Sequence, residues 1–284
     1  MKLVTFTDAA GTRIGIAVEG GIVDLKKADA DLPRDMIGLI SAWGTHRAAL
    51  ERAAARKADF AQSAVKLEAP VPRPGKILAI GLNYADHIAE SGQKIPEEQV
   101  WFCKHVTSVN PPFAAVQKPK ASTLLDYEAE LVAVIGKRCK HVPKDKAHEV
   151  IFGYAVGNDV TARDWQFKTP QWMLGKSFDT HAPFGPWIVT PDEIGDPHAL
   201  GIRAFVNGEK RQDSNTKHLV FNIFDQIAHV SQAMTLEPGD LIFTGTPGGV
   251  GAAMKPPQFM KVGDVTRIEI DKIGAIEATV VAEP

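Results

Sequence analysis

Several features that would place a protein in a class at once are missing from this sequence. Only two of its 284 residues are cysteine, too few for a disulfide framework in a chain of this length, and we expect both to be reduced thiols. No segment approaches the roughly 20 consecutive apolar residues of a membrane-spanning helix. The first residues also lack the apolar core and the small-residue cleavage site of a signal peptide.

An excess of charge of one sign is missing as well. Lys and Arg number 32 and Asp and Glu number 34, which leaves a formal net charge of -2. Such a balance offers no electrostatic surface for nucleic acid or for an anionic membrane. We therefore expect a cytoplasmic globular protein whose partner is a small molecule.

Two familiar cofactor motifs are absent too. The nine histidines include no H-x-x-x-H pair, which weighs against a zinc site on a helix. The glycine-rich segment 239–251 is not followed by Lys and then Ser or Thr, as a phosphate-binding loop of the Walker type would be. The sequence therefore predicts neither zinc nor nucleotide chemistry.

The residues that are present predict two domains. The N-terminal part first alternates as short strands do, and its pattern then predicts helices at Met36–Trp43 and Thr45–Ala64. Alternating prolines in segment 69–75 can continue neither a helix nor a central strand. We therefore predict a small N-terminal α/β domain over residues 1–70 and a larger domain over residues 75–284.

The larger domain has the pattern of many short strands separated by Gly and Pro turns. Few helices interrupt these strands, and the clearest of them is expected at Val220–Met234. The predicted fold class is α+β and strand-dominated, with antiparallel pairing.

Three acidic residues stand at the ends of two apolar strands. Glu128 and Glu130 are two apart on one strand and so project from the same face, and Asp159 ends another apolar strand. Buried carboxylates this close need a shared proton, a basic partner or a divalent cation. Oxygen-only ligands suit Mg²⁺ or Mn²⁺, and also Ca²⁺. The alternative is a solvated strand end at which these acids face water.

A histidine and a glutamate with helical spacing follow the strand at Ile77–Ile80. His87 and Glu90 are three apart, hence on one face of a helical turn, and a hydrogen-bonded Glu raises the basicity of a His that activates water. The alternative is an ordinary surface pair. The polar segment Ser91–Gln99 that comes next is either a mobile lid or a plain connector.

A lysine lies in an apolar stretch near these acids along the chain. Lys176 has Trp172, Met173, Leu174 and Phe178 as sequence neighbours. An ammonium group in such surroundings costs free energy unless it faces an anion. The alternative is an ordinary salt-bridge partner.

Together these segments resemble the fumarylacetoacetate hydrolase superfamily, and among its bacterial members the acylpyruvases. One position departs from the pattern: some members carry Tyr four residues after the position of Gln166, where this chain has Pro170. The matching motifs run in the family's order over residues 75–284, and they are Gly81–His87, Tyr127–Leu131, Gly157–Asp164, Gly175–Asp179, Asn207–Glu209 with Ser214–Thr216, and Pro238–Asp240 with Thr244–Pro247.

The resemblance implies a mixed β-sandwich roll, commonly a homodimer, that binds Mg²⁺ or Mn²⁺. It implies that Glu128, Glu130 and Asp159 are the metal ligands, with Ca²⁺ as a possible substitute in a crystal. It also implies a role for six other residues: a water-activating dyad of His87 and Glu90 on a lid, an active-site Lys176, and substrate-binding positions at Gln166, Thr246 and, next to a metal acid, Arg163.

The reaction that the resemblance implies first is hydrolysis of a carbon–carbon bond in a β-diketo acid such as an acylpyruvate. His87 would activate the water, and the metal would stabilise the enolate that leaves. Alternatives within the family are decarboxylation of oxaloacetate, and isomerase, hydratase or lyase chemistry on a related 2-oxo acid, because a shared fold does not fix function. A metal and keto-acid binding protein without catalysis is the alternative outside enzymology.

Overall fold

Strands dominate the computed structural model, which describes all 284 residues. The strands are β1 (Lys2–Asp8), β2 (Gly11–Val18), β3 (Gly21–Asp24), β4 (Lys66–Glu68), β5 (Ile77–Gly81), β6 (Val100–Lys104), β7 (Val109–Asn110), β8 (Val116–Lys118), β9 (Leu125–Asp126), β10 (Ala129–Ile135), β11 (Ile151–Asn158), β12 (Thr161–Ala162), β13 (Ala182–Val189), β14 (Gly201–Val206), β15 (Glu209–Asn215), β16 (Leu241–Phe243), β17 (Val265–Ile270) and β18 (Gly274–Ala282). The α-helices are α1 (Leu25–Ala28), α2 (Met36–Ser41), α3 (Trp43–Ala54), α4 (Ala85–Glu90), α5 (Arg163–Gln166), α6 (Met173–Lys176), α7 (Pro191–Ile194) and α8 (Ile223–Ala233). Short 3-10 helices lie at Gln62–Ala64, Val106–Ser108, Lys144–Val150, Thr216–His218 and Gly251–Ala253.

Two large sheets and one small strand pair make up the fold. The larger sheet has the order β3-β2-β1-β13-β11-β10-β16-β5-β6, with β4 beside β1 and β7 beside β13. The second sheet has the order β15-β14-β17-β18-β8, and β9 pairs with β12. Most neighbours are antiparallel, and the β16–β5, β13–β7 and β18–β8 pairs are parallel. The predicted strand-dominated α+β class is confirmed.

Strand β10 is the centre of the molecule because both of its faces are buried. Leu131 and Ala133 belong to a cluster of 35 buried residues that the second sheet and α8 complete. Val132 and Val134 point the other way, into a cluster of 24 buried residues that includes α2 and α3. A continuous apolar run on this strand is what two covered faces require.

The N-terminal strands are part of the large sheet. Lys2 of β1 pairs with Val189 of β13, so the N-terminal strands extend the sheet of the larger domain. The predicted helix at Met36–Trp43 corresponds to α2. The division at residues 70–75 stays a prediction.

The long helix predicted over Thr45–Ala64 is wrong in its second half. Helix α3 ends at Ala54, and the chain then returns to the sheet, where the Phe60 carbonyl accepts a hydrogen bond from the Ile22 amide at 2.8 Å. This non-local pairing overrides the helical propensity of the Ala-rich run.

Helix α8 begins at Ile223, three residues inside the predicted range Val220–Met234. Asn222 accepts hydrogen bonds from the amides of Phe224 and Asp225, and the Asp225 side chain accepts one from the Asn222 amide. This capping box sets the first residue of the helix at Ile223.

No helix of the structure is both long and apolar enough to cross a membrane.

Candidate metal and 2-oxo-acid site

The candidate site lies where four neighbouring strands of the large sheet end together. Strands β11, β10, β16 and β5 are adjacent in this order, with β10 antiparallel to both of its neighbours and β16 parallel to β5. The start of β10 therefore meets the ends of the other three strands. Residues far apart in sequence come together at this edge because β10 runs opposite to the other three strands.

The three predicted metal acids meet at this edge. Glu128 precedes β10, Glu130 lies on it, and Asp159 directly follows β11. The Asp159 amide donates to the Glu128 carbonyl at 2.9 Å, which locks the two strand ends together. Each side chain offers an oxygen that lies within 4.8 Å of the others, and all three residues are buried. The solvated strand end considered above is therefore excluded.

Three cations surround these acids. Lys176 donates to Glu128 Oε2 at 2.8 Å and to Asp159 Oδ2 at 2.7 Å. Lys104, which is fully buried at the end of β6, donates to Asp159 Oδ1 at 2.5 Å. Arg163 Nη1 lies 2.6 Å from Glu128 Oε1. Of the three acids, Glu130 alone has no basic partner, and its Oε2 accepts from the Gly245 amide at 2.8 Å.

Close packing of two short helices brings Lys176 to the acids. Gly175 of α6 lies directly against α5, because a Cβ at this position would come 2.3 Å from the Gln166 amide nitrogen and 2.8 Å from the Ala162 carbonyl oxygen. Any larger residue would push the two helices apart and move the lysine away from the carboxylates.

The pKa values of Glu128 and Glu130 are shifted in opposite directions. Burial raises the pKa of Glu128, but the charges of Lys176 and Arg163 outweigh burial and lower it to about 2. Burial, together with the charges of Asp159 and Glu128, raises the pKa of Glu130 well above its usual range. The charge of Lys176 offsets these effects only in part, because Lys176 is paired with Glu128 and Asp159 and not with Glu130.

A divalent cation fits this set of groups. Three carboxylates, one of them without a cationic partner, form a hard oxygen donor set of the kind that Mg²⁺ and Mn²⁺ prefer. Glu128, Glu130 and Asp159 would hold the ion, and its charge would remove the cost of ionising Glu130.

The predicted His–Glu pair forms on α4. His87 Nδ1 lies 2.7 Å from Glu90 Oε1, and Glu90 Oε2 accepts from the Gly249 amide at 2.8 Å. At the start of α4, Asp86 accepts from the Ser214 hydroxyl at 3.1 Å. The loop at Gly249 and strand β15 thus hold the helix in place. The segment Ser91–Gln99 beyond it contains no strand or helix, and its role as a lid stays a prediction.

One cavity of about 530 Å³ joins these groups. Ile80, Leu82, Phe102 and Trp172 contribute apolar wall. Asp159 is the one predicted site residue that does not reach the cavity, since it lies fully buried behind Lys176. The other eight all line it, and they are His87, Glu90, Glu128, Glu130, Arg163, Gln166, Lys176 and Thr246.

The sequence analysis missed three parts of the site. Lys104 is buried against Asp159, and no local pattern distinguishes it from the other lysines. Ala252, Ala253, Met254, Lys255 and Pro257 also line the cavity, although this segment contains no motif.

The third part that the sequence analysis missed is Asp126, a buried acid that connects Arg163 to the backbone of residues 251 and 252. Asp126 accepts from Arg163 Nε at 2.9 Å and from the amides of Gly251 and Ala252 at 2.8 and 2.9 Å. Its place one residue before the Glu128 motif was the only available signal.

Comparison with known proteins identifies the family. The sequence profile described as the C-terminal domain of fumarylacetoacetate (FAA) hydrolase matches residues 76–281. Over 291 aligned residues the chain is 44% identical to a Xenopus laevis protein named oxaloacetate tautomerase fahd2, mitochondrial, and the alignment covers 99% of this chain and 90% of that protein.

Solved structures of related enzymes share the fold over the whole chain. Maleylpyruvate hydrolase from Sphingobium sp. SYK-6, solved with manganese(II) ion and pyruvate, has 35% identity and a TM-score of 0.84, with both chains covered completely. The 5-carboxymethyl-2-hydroxymuconate delta-isomerase from Mycobacterium smegmatis has 34% identity and a TM-score of 0.80, again with complete coverage of both. The chain is thus similar to hydrolases, isomerases and tautomerases of one family.

The names of the relatives correct the predicted compartment. The tautomerases from Xenopus laevis, Rattus norvegicus, Bos taurus and Homo sapiens, which are 41–44% identical to this chain, are all called mitochondrial. These names contradict the cytoplasmic localisation that was predicted from composition, and that prediction is wrong. A low cysteine count indicates reducing surroundings, but neither it nor a balanced net charge distinguishes one reducing compartment from another.

Proposed function

The chain belongs to the fumarylacetoacetate hydrolase family, and we propose that it is a tautomerase, dependent on Mg²⁺ or Mn²⁺, that interconverts the enol and keto forms of a 2-oxo dicarboxylic acid of the oxaloacetate type. The observation that carries this proposal is the 44% identity with an oxaloacetate tautomerase over 99% of the chain. The hydrolase and isomerase structures are 35% and 34% identical. Hydrolysis, the reaction expected first from the sequence, thus becomes the second candidate.

The reaction needs one proton to leave the enol oxygen and one to arrive at the neighbouring carbon. His87 is the residue suited to transfer the proton. Glu90 accepts a hydrogen bond from its Nδ1, so Nε2 is the nitrogen that can accept the substrate proton. The same pair lines the cavity. Proton transfer within one molecule of substrate balances without any co-reactant.

The groups at the inner end of the cavity would bind and orient the 2-oxo-carboxylate end of the substrate. Lys176 can donate to a substrate oxygen with its remaining proton, since two of its three protons are used by Glu128 and Asp159. Gln166 and Thr246 add polar contacts on the cavity wall. A bound divalent cation would supply Lewis-acid stabilisation of the charge that develops on the 2-oxo oxygen.

The test of the function is a comparison of three reactions with one preparation of protein in the presence of Mg²⁺ or Mn²⁺. We expect the protein to accelerate the loss of the ultraviolet absorbance of enol-oxaloacetate over the rate without protein. Formation of pyruvate from oxaloacetate, measured with lactate dehydrogenase, should stay at background. Absence of acceleration with either metal would contradict the proposal, and a faster release of pyruvate from an acylpyruvate would assign the protein as a hydrolase.

Replacing His87 by Asn should lower kcat for tautomerisation about 100-fold, because the proton must then pass through water rather than through a positioned base. The affinity for Mn²⁺, measured by calorimetry, should not change, since His87 bonds to Glu90 and not to the acids that would hold the ion. His218→Asn, at an exposed position outside the cavity, is the matched control. An unchanged kcat would remove the dyad from the mechanism.

Hydrolysis of an acylpyruvate is kept as a second candidate by the same His–Glu pair. Both residues of the pair face the cavity, as a group that activates water must. The maleylpyruvate hydrolase with its manganese and pyruvate ligands is similar over the whole chain.

The homodimer that the resemblance implies also stays a prediction. A measurement of the mass of the protein in solution tests it.

A further inference from the structure

One cation of the cavity has no task in the chemistry described so far. Arg163, Lys176 and Lys255 are the Lys and Arg residues that line it. Arg163 and Lys176 are buried and paired with carboxylates at 2.6 to 2.8 Å. Lys255 is exposed and makes neither an ion pair nor a side-chain hydrogen bond. Its charge is therefore free to meet a ligand.

The loop that carries Lys255 is fixed relative to the acids. The Gln258 amide donates to the Gly251 carbonyl at 2.9 Å and closes the loop at its base. Asp126 accepts from the amides of Gly251 and Ala252, and it also accepts from Arg163. Asp126 and Arg163 thus connect the base of the loop to Glu128, to which Arg163 is also paired. The loop that carries Lys255 is therefore anchored to the acid cluster.

The charge of the inner cluster limits what the inner end can bind. The cluster contains four carboxylates and three cations, so its net charge is -1 when all are ionised. A bound divalent cation would change this net charge to +1. One substrate carboxylate balances that charge, and a second carboxylate placed in the cavity would need another cation. The groups of this count are the carboxylates Asp126, Glu128, Glu130 and Asp159 and the cations Lys104, Arg163 and Lys176.

We propose that Lys255 binds the second carboxylate of the substrate, so that the site selects dianionic over monoanionic 2-oxo acids. This inference rests on the proposed function and names a specificity-determining residue for it. Phe102, Trp172 and Met254 line the same cavity and would pack against the carbon chain between the two charged ends.

The experiment compares two ligands of equal chain length, 2-oxoglutarate as the dianion and 2-oxopentanoate as the monoanion. Calorimetry with Mn²⁺-loaded protein gives their dissociation constants without turnover. Lys255→Met should weaken 2-oxoglutarate about fivefold, the effect of one partly exposed charge pair, and should leave 2-oxopentanoate unchanged. Lys255→Arg should restore the preference, and added salt should reduce it.

Lys261→Met is the matched control, because Lys261 is an exposed lysine on the same connection that does not line the cavity. A Lys255→Met variant that weakens both ligands equally, or neither, overturns the inference, as does a wild-type protein without preference for the dianion. Because binding is measured without turnover, a shifted preference in a protein that fails to tautomerise oxaloacetate would refute the proposed function and leave the role of Lys255 standing.

Discussion

Replacing Glu130 by Gln should weaken Mn²⁺ binding about 100-fold or more and lower tautomerase activity about a thousandfold. Glu130 is the one acid of the three without a cationic partner, so its negative charge is the one that a bound ion would neutralise. Outer-shell changes at metal sites already cost 10- to 100-fold in affinity. Loss of Lewis-acid stabilisation, worth several kcal/mol, accounts for the fall in rate.

The same substitution should stabilise the metal-free protein. Burial and two neighbouring carboxylates raise the pKa of Glu130, so at a pH above the ordinary pKa of Glu this group opposes folding. The amide of Gln keeps an oxygen that can accept from Gly245 and removes the repulsion. We expect the melting temperature without metal to rise by about 2–4 °C, and the further rise on adding Mn²⁺ to disappear.

Two measurements distinguish this result from general damage. Glu277→Gln, at an exposed strand position outside the site, should change neither metal binding nor activity. If Glu130→Gln lowers the melting temperature of the metal-free protein, the acid has a structural role. If it leaves Mn²⁺ affinity unchanged, the assignment of the metal site is wrong.

Replacing Lys176 by Met should lower activity about a thousandfold and destabilise the metal-free protein by about 3–5 kcal/mol. The lysine is buried, and it is the shared partner of Glu128 and Asp159. Removing one member of a buried ion-paired cluster leaves carboxylates without compensation, which is among the costliest single substitutions. The loss of activity follows because the donor to the substrate oxygen disappears.

The stability of this variant should depend on metal more strongly than that of the wild type. A divalent cation between the acids supplies positive charge that Met cannot, so Mn²⁺ should recover most of the lost stability but little of the activity. Chemical denaturation with and without Mn²⁺ measures both effects. Lys146→Met removes an exposed ion pair with Glu149 and should have little effect on either, because exposed pairs are weak. Equal loss of stability with and without metal would mean that Lys176 and the ion do not share the same carboxylates.

Much of the site could be predicted from local patterns. The spacing of Glu128 and Glu130 by two on an apolar strand puts both on one face, and the spacing of His87 and Glu90 by three puts them on one helical face. The structure has both arrangements. In each case the geometry depends on only a few consecutive residues, and an ideal strand or helix reproduces it.

Other parts of the site depend on which strands become neighbours. Lys104 at the end of β6 meets Asp159, which is 55 residues away and directly follows β11, and these two strands are not adjacent in the sheet. Lys255 lines the same cavity as the acids because its loop is held by Asp126, which Arg163 also contacts. The end of α3 likewise depends on a bridge between Phe60 and Ile22. None of these contacts follows from the period of a helix or a strand.

The amino-acid sequence alone was enough to predict the fold class, the family, the grouping of the three acids and the pairing of His87 with Glu90, because periodicity and short motifs carry that information over a few residues. Tertiary structure decided which carboxylate lacks a partner, which lysines neutralise the others and which cation is left free in the cavity. These are questions of charge balance within a buried volume. The answer depends on distances between residues tens of positions apart, and those distances exist only once the sheets are assembled.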